Sequence, residues 1–272
     1  MPTPDPTRLD QTCTVRGLRL RTRRRPGDTA PPLLLIQGLG GSSESWEPLI
    51  RELPGRDIVM VDNPGSGRSE SPLLPLRLAT VADMLVGALD HLGIEEVDVL
   101  GFSLGGLVAQ ELVRRHPRRV RRLVLASTTF GLGAMVPGWR VQRVLWSPGR
   151  FHSSEVAADA MRILAGGRTA ADPAVLGEIL DVRADTAPTV RGYYYQLASA
   201  CWWSSLWWLH TLDVPALVLH GEADPLVPLR NARMLARRLP DARLEIIAGG
   251  GHMILFDQSA DVAPSLITFF DA

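Results

Sequence analysis

Val97-Asp-Val-Leu-Gly101-Phe-Ser103-Leu-Gly105-Gly-Leu-Val-Ala-Gln-Glu-Leu-Val-Arg-Arg115 carries the strongest architectural signal in the chain. Val97–Gly101 reads as a short apolar strand, and Gly106–Arg115 carries apolar residues at helical spacing. A strand that turns at once into a helix strains and crowds its backbone, so it needs small residues two places to either side of the turn. Gly101 and Gly105 stand at those places around Ser103. Ser103 is therefore expected to project from the turn, with a helix N-terminus beneath it favouring developing negative charge. The competing reading is a Gly-rich turn with an incidental serine.

The same rhythm extends in both directions. Leu33–Ile36, Ile58–Val61, Leu123–Ala126, Ala216–Leu219 and Leu244–Ile247 are apolar runs too short for helices, as strands covered on both faces must be. Val81–Leu92 and Asn231–Leu239 alternate with them at helical spacing. Strand–helix alternation predicts a mostly parallel α/β sheet with helices on both faces. Residues 12–25 alternate around Gly17 and predict an edge hairpin, whose Arg21–Arg25 cluster reads as a solvated strand face. Residues 129–210 are far too long for a loop and hold six of the seven Trp and all three Tyr. They predict a helical cap, so that 1–128 and 211–272 form the two parts of one catalytic core.

Composition narrows the function. Across 272 residues, 29 basic side chains, every one Arg, balance 29 acidic ones, leaving no net field for nucleic acid or an anionic membrane. No apolar run approaches the roughly 18 residues that span a bilayer. The first eight residues, Pro-rich and polar, lack the apolar core of a secretory signal, and two cysteines suit a reducing cytoplasm. No His, Cys and carboxylate cluster has metal-ligand spacing, so neither a metal nor a cofactor is expected.

A serine hydroxyl is a poor nucleophile alone and needs a base and an orienting acid from farther along the chain. Of the six His, His91 and His116 close helices, His152 and His210 lie in the cap, and His220 sits at a strand end. His252 follows the last strand through Gly249-Gly250-Gly251, in a flexible loop from which a base swings over Ser103. Asp224, stopped at the sheet's carboxyl edge by Pro225, is the expected acid, with Glu222 as its rival. The backbone N–H of Leu104 and that of Leu39, in Gln37-Gly38-Leu39-Gly40-Gly41, supply an oxyanion hole. Asp62, at a third Gly-containing strand exit, satisfies loop amides. Trp202, Trp203, Trp207 and Tyr194 are expected to face the groove above Ser103 and bind substrate.

Together these residues resemble the α/β-hydrolase superfamily over nearly the whole chain. Within it the chain resembles the intracellular depolymerases of medium-chain-length polyhydroxyalkanoates. Met135-Val136-Pro137-Gly138, Gly192-Tyr-Tyr-Tyr-Gln196-Leu197, Trp207-Trp208-Leu209-His210, Val227-Pro228 and Asn231-Ala-Arg-Met234-Leu-Ala236 carry that likeness. Gln37 departs from the His of most esterases of this fold, and Leu104 from the aromatic residue of the depolymerases. The resemblance implies a cytoplasmic serine ester hydrolase acting on aliphatic 3-hydroxyacyl esters, oligomeric or polymeric, and leaves open whether it meets them at a granule surface. A small-molecule carboxylesterase or lactonase, a cofactor-free haloperoxidase-like enzyme and a non-catalytic ligand receptor share the fold and stay open as alternatives.

Overall fold

The computed structural model describes residues 9–151 and 153–272; residues 1–8 and His152, with the readings made of them, lie outside the described residues. Eight strands form one sheet: β1 (Leu9–Val15), β2 (Leu18–Arg25), β3 (Leu33–Ile36), β4 (Ile58–Val61), β5 (Val97–Phe102), β6 (Val120–Ala126), β7 (Ala216–Gly221) and β8 (Ala242–Ile247). Their spatial order is β1-β2-β4-β3-β5-β6-β7-β8. β2 pairs antiparallel with both neighbours, and every other pair is parallel.

The helices are α1 (Glu47–Arg51), α2 (Leu78–His91), α3 (Leu104–Arg115), α4 (Trp139–Trp146), α5 (Ser154–Ala165), α6 (Gly167–Ala171), α7 (Pro173–Asp185), α8 (Val190–Cys201), α9 (Leu229–Arg238), α10 (Ile254–Asp257) and α11 (Ser259–Asp271). Two cores sandwich the sheet. Leu34, Ile36, Val99 and Leu125 pack with α2, α3 and α9, while Leu33, Leu35, Leu100 and Val124 pack with α1, α10 and α11. Alternate residues of one strand therefore enter different cores, which is why the strands read as unbroken apolar runs. After β3 the chain moves to the β4 side of the sheet, and after β5 to the β6 side. The carboxyl ends of β3 and β5 thus flank a switch point, where open α/β sheets leave a crevice.

Two sequence expectations need correction. β8 is an edge strand, and Leu244 and Ile246 are exposed rather than covered on both faces. The Arg cluster is not a solvated face, because β2 lies inside the sheet. Arg21 is only 5% exposed and pairs with Asp10 at 2.6 Å, Glu44 at 2.5 Å and Asp62 at 3.5 Å. Arg25 donates to the Ile50 and Leu53 carbonyls at 2.6 and 2.7 Å, at and just beyond the end of α1. The charges are absorbed by neighbours that strand pairing brings in from elsewhere in the chain. Among the described residues no helix is long and apolar enough to cross a membrane.

Candidate active site

Ser103 occupies a left-handed backbone conformation, φ 53° and ψ −119°, between the end of β5 and the start of α3. A non-glycine residue held there is strained, and the surrounding bonds must over-determine it. Its N–H donates to the Ala126 carbonyl at 2.9 Å, and its own carbonyl accepts from Thr128 Oγ1 at 2.6 Å and the Gly106 N–H at 2.9 Å. The flanking glycines are there for space. A Cβ on Gly101 would lie 2.6 Å from the Gly105 carbonyl oxygen, and one on Gly105 would collide with the carbonyl of Ile36. Any larger residue would push β5, β3 and α3 apart.

His252 Nε2 lies 3.1 Å from Ser103 Oγ, and its Nδ1 lies 2.8 Å from Asp224 Oδ2. A carboxylate only accepts, so Nδ1 carries the hydrogen and Nε2 presents a lone pair to the serine hydroxyl. Asp224 is 8% exposed, and its Oδ1 accepts from the Leu226 and Val227 N–H groups, both at 2.8 Å. The His252 ring rests on Phe102, centroids 5.1 Å apart, which excludes water from one face. Its loop is anchored rather than free to swing: the His252 N–H donates to the Ala165 carbonyl, at the end of α5, over 2.6 Å. Such a relay can carry a proton off the hydroxyl as the oxygen attacks.

The other groups of interest fall where they do not join this chain. Glu222 is exposed and accepts from the Gly249 N–H at 3.2 Å. His220 is fully buried, 3.6 Å from Asp224 Oδ2, and donates through Nε2 to the Val227 carbonyl at 2.8 Å. Burial pushes its imidazolium pKa below the ordinary value, so it packs as a neutral ring. Asp62 accepts from the Ser43 and Arg68 N–H groups at 2.7 and 3.0 Å, shaping the loop after β4. Among the described residues no cluster of three His, Cys or carboxylate side chains is placed to hold a metal ion.

The loop after β3 passes over Ser103 so closely that a Cβ on Gly38 would lie 3.1 Å from the serine Cβ. Its amides are almost all engaged. Gly38 N–H donates to Gln37 Oε1 at 2.7 Å, Gly40 N–H to Gln196 Oε1 at 2.9 Å, and Gly41 N–H to the Gly38 carbonyl at 3.1 Å. Among the described residues the Leu39 N–H has no such partner, and neither has Leu104 N–H, at the first position of α3. Both sequence-predicted donors thus stay uncommitted beside the serine.

A cavity of about 460 Å³ opens above these groups, lined by Gln37, Leu39, Ser103 and His252 at one end. Its apolar wall was not foreseen. Ala157, Ala160, Met161 and Leu164 of α5, together with Leu180 of α7, line it. The α5 residues are spaced i, i+3, i+4 and i+7, one stripe of a helix, and that periodicity was the available signal. The sequence expectation for the aromatic cluster is overturned: Trp202, Trp203, Trp207 and Tyr194 do not line the cavity, and only Tyr193 of the neighbouring rings does. Trp202 and Trp207 are 88% and 81% exposed, beyond the end of α8. Trp203 turns toward α3, where its Nε1 donates to Glu111 Oε1 at 2.7 Å and its ring meets Trp208 edge-on. Tyr194 spends its hydroxyl on the Trp146 carbonyl at 3.0 Å. An indole or phenol that is packed needs a partner for its polar end, and the available partners lie away from the serine.

Residues 31–259 match the family model described as the alpha/beta hydrolase fold. The chain is 38% identical over 256 residues to a poly(3-hydroxyalkanoate) depolymerase from Ectopseudomonas oleovorans, covering 92% of this chain and 88% of that protein. It is 30% identical over 253 residues to a pimeloyl-acyl-carrier-protein methyl ester esterase from Aromatoleum aromaticum, covering 86% and 95%. Among solved structures, the enol-lactonase from Burkholderia xenovorans superposes with a TM-score of 0.84 at 25% identity, over 96% of this chain and all of that one.

Proposed function

The chain belongs to the α/β-hydrolase family, and from that premise we propose that it is a serine ester hydrolase acting on aliphatic, 3-hydroxyacyl esters of the polyhydroxyalkanoate class. The observation that carries this reading is the unbroken chain Ser103–His252–Asp224 at the polar end of an apolar cavity. Ser103 Oγ attacks the ester carbonyl while His252 Nε2 takes its proton. The tetrahedral oxyanion is met by the Leu39 and Leu104 N–H groups. Collapse expels the alcohol, which receives the proton back from His252 and leaves the acyl group on Ser103. Water, deprotonated by the same nitrogen, then releases the acid. Asp224 holds the tautomer and balances the imidazolium charge throughout.

The acyl chain lies against α5 and α7, whose stripe of Ala, Met and Leu suits an aliphatic tail. Likeness to the depolymerase supports the 3-hydroxyacyl class, and the match with the enol-lactonase favours a second reading, a small-molecule esterase or lactonase. Ser103→Ala should fold normally and lose at least ~10³-fold in kcat on p-nitrophenyl esters, because the three residues act as a unit. A fluorophosphonate should label the parent at Ser103 and leave the variant unlabelled. Labelling elsewhere, or retained turnover, would remove Ser103 from the mechanism.

A further inference from the structure

Gln196 of α8 is buried and commits both ends of its amide to the core. Its Oε1 accepts from the Gly40 N–H at 2.9 Å. Its Nε2 donates to the Pro64 carbonyl at 2.9 Å and toward Ser66 Oγ at 3.3 Å. The orientation is dictated by chemistry, since the Gly40 amide can only donate and the Pro64 carbonyl can only accept. One helical turn earlier, Gly192 lies so close to Gly65 that a Cβ on Gly65 would sit 2.7 Å from its Cα. The i, i+4 pair thus docks α8 onto the loops after β3 and β4 together.

On the other side of Leu39, Gln37 holds the loop from within. Its Oε1 accepts from the Gly38 N–H, and its Nε2 donates to the Ser42 carbonyl at 3.3 Å. Peptide units are rigid planes. Gln37 fixes the plane that carries the Gly38 N–H, Gln196 fixes the plane that carries the Gly40 N–H, and the plane carrying the Leu39 N–H lies between them. We infer that Gln196 is a positioning residue of the oxyanion hole: by holding Gly40 it aims the Leu39 N–H at the space above Ser103. The inference rests on the esterase reading given above. It also gives Gly192-Tyr-Tyr-Tyr-Gln196 a task that sequence alone does not reveal, since the two working residues are the small one and the amide rather than the three rings.

The test compares Gln196→Met, which is of similar size and makes neither bond, with the parent and with Tyr195→Phe. The last loses a bond from the same helix to the Leu73 carbonyl, 3.1 Å, and leaves the Gln196–Gly40 bond in place. Losing an oxyanion donor outright costs about 10²–10³-fold in kcat, so mis-aiming one should cost about 10–100-fold. KM should change less than about threefold, because the donor acts on the tetrahedral state and not on the bound ester. Inhibition by an alkyl boronic acid, which becomes tetrahedral on the serine, should weaken by the same factor as kcat. Binding of the matching alkyl carboxylate and the activity of Tyr195→Phe should hold. If Gln196→Met does not fold, Gln196→Asn, which withdraws the amide by one methylene, provides the same readings. A folded variant with unchanged kcat and boronate affinity, or one that raises KM at constant kcat, overturns the inference alone. A parent that turns over no ester overturns the esterase reading and this inference with it.

Discussion

Asp224 gives its two oxygens different tasks, Oδ1 to the Leu226 and Val227 amides and Oδ2 to His252 Nδ1. An Asn at this position keeps its oxygen on the two amides and turns its NH₂ toward Nδ1. That drives the imidazole hydrogen to Nε2, where it opposes the Ser103 hydroxyl. Asp224→Asn should therefore lower kcat on the order of 10⁴-fold, the size known for this change in serine proteases, with a melting temperature near that of the parent. Glu222→Gln, on an exposed side chain that accepts from the Gly249 N–H, should change kcat less than about threefold. The opposite ranking in steady-state kinetics would make Glu222 the acid. Ser103, Asp224 and His252 are readable as single letters because each sits at a strand exit marked by Gly or Pro. What the letters do not contain is the separation of Asp224 from its rival two residues away, which depends on the direction each side chain takes after β7.

The apolar wall of the cavity is built at the level of elements. α5 turns the stripe Ala157, Ala160, Met161 and Leu164 toward Ser103, and α7 adds Leu180. Each buried methylene is worth about 0.8 kcal/mol, so kcat/KM should rise up to about fourfold per acyl carbon until the cavity is full. Ala157→Phe should fill part of that space and shift the preferred p-nitrophenyl ester toward shorter chains. Trp202→Ala and Trp207→Ala should leave the chain-length profile within about twofold of the parent, since both rings face outward. A profile flattened by the tryptophans and indifferent to Ala157 would return substrate choice to the aromatic cluster. Seven clustered rings are conspicuous in sequence, whereas a stripe of Ala, Met and Leu looks like any packed helix. Which face of α5 meets the cavity is set only when its end is tied to the core through the Ala165 carbonyl and the His252 N–H.

At the scale of the whole molecule, Asp83 on α2 ties the first hairpin to α3. It pairs with Arg16 at 3.1 Å, Arg115 at 2.8 Å and His116 at 2.9 Å. The Arg115 guanidinium above all holds its carboxyl below the ordinary 3.8, at about 2. A carboxyl whose folded pKa lies below its unfolded one stabilises the fold at pH values above the unfolded pKa, and loses that contribution as pH falls through the folded one. Asp83→Asn should thus cost about 1 kcal/mol at neutral pH, a figure kept small because Arg16 and Arg115 are exposed and screened. In urea titrations the gap between parent and variant should close between pH 3.8 and about 2. A gap that persists at pH 2 would make it a matter of packing. The layered sheet, the strand-to-helix turn at Ser103 and the order Ser, Asp, His are legible from residue order alone, because these rest on local backbone sterics and short-range hydrophobic periodicity. The closing helix α11 keeps its apolar stripe, Val262, Ala263, Leu266, Phe269 and Phe270, despite the Pro264 inside it. Folding alone settles that Arg21 is buried among carboxylates, that Trp203 turns to Glu111 while Trp202 and Trp207 face outward, and that Gln196 reaches Gly40. Those outcomes depend on which partner a charge, an indole N–H or an amide meets once distant segments fold together, and no local pattern specifies that partner.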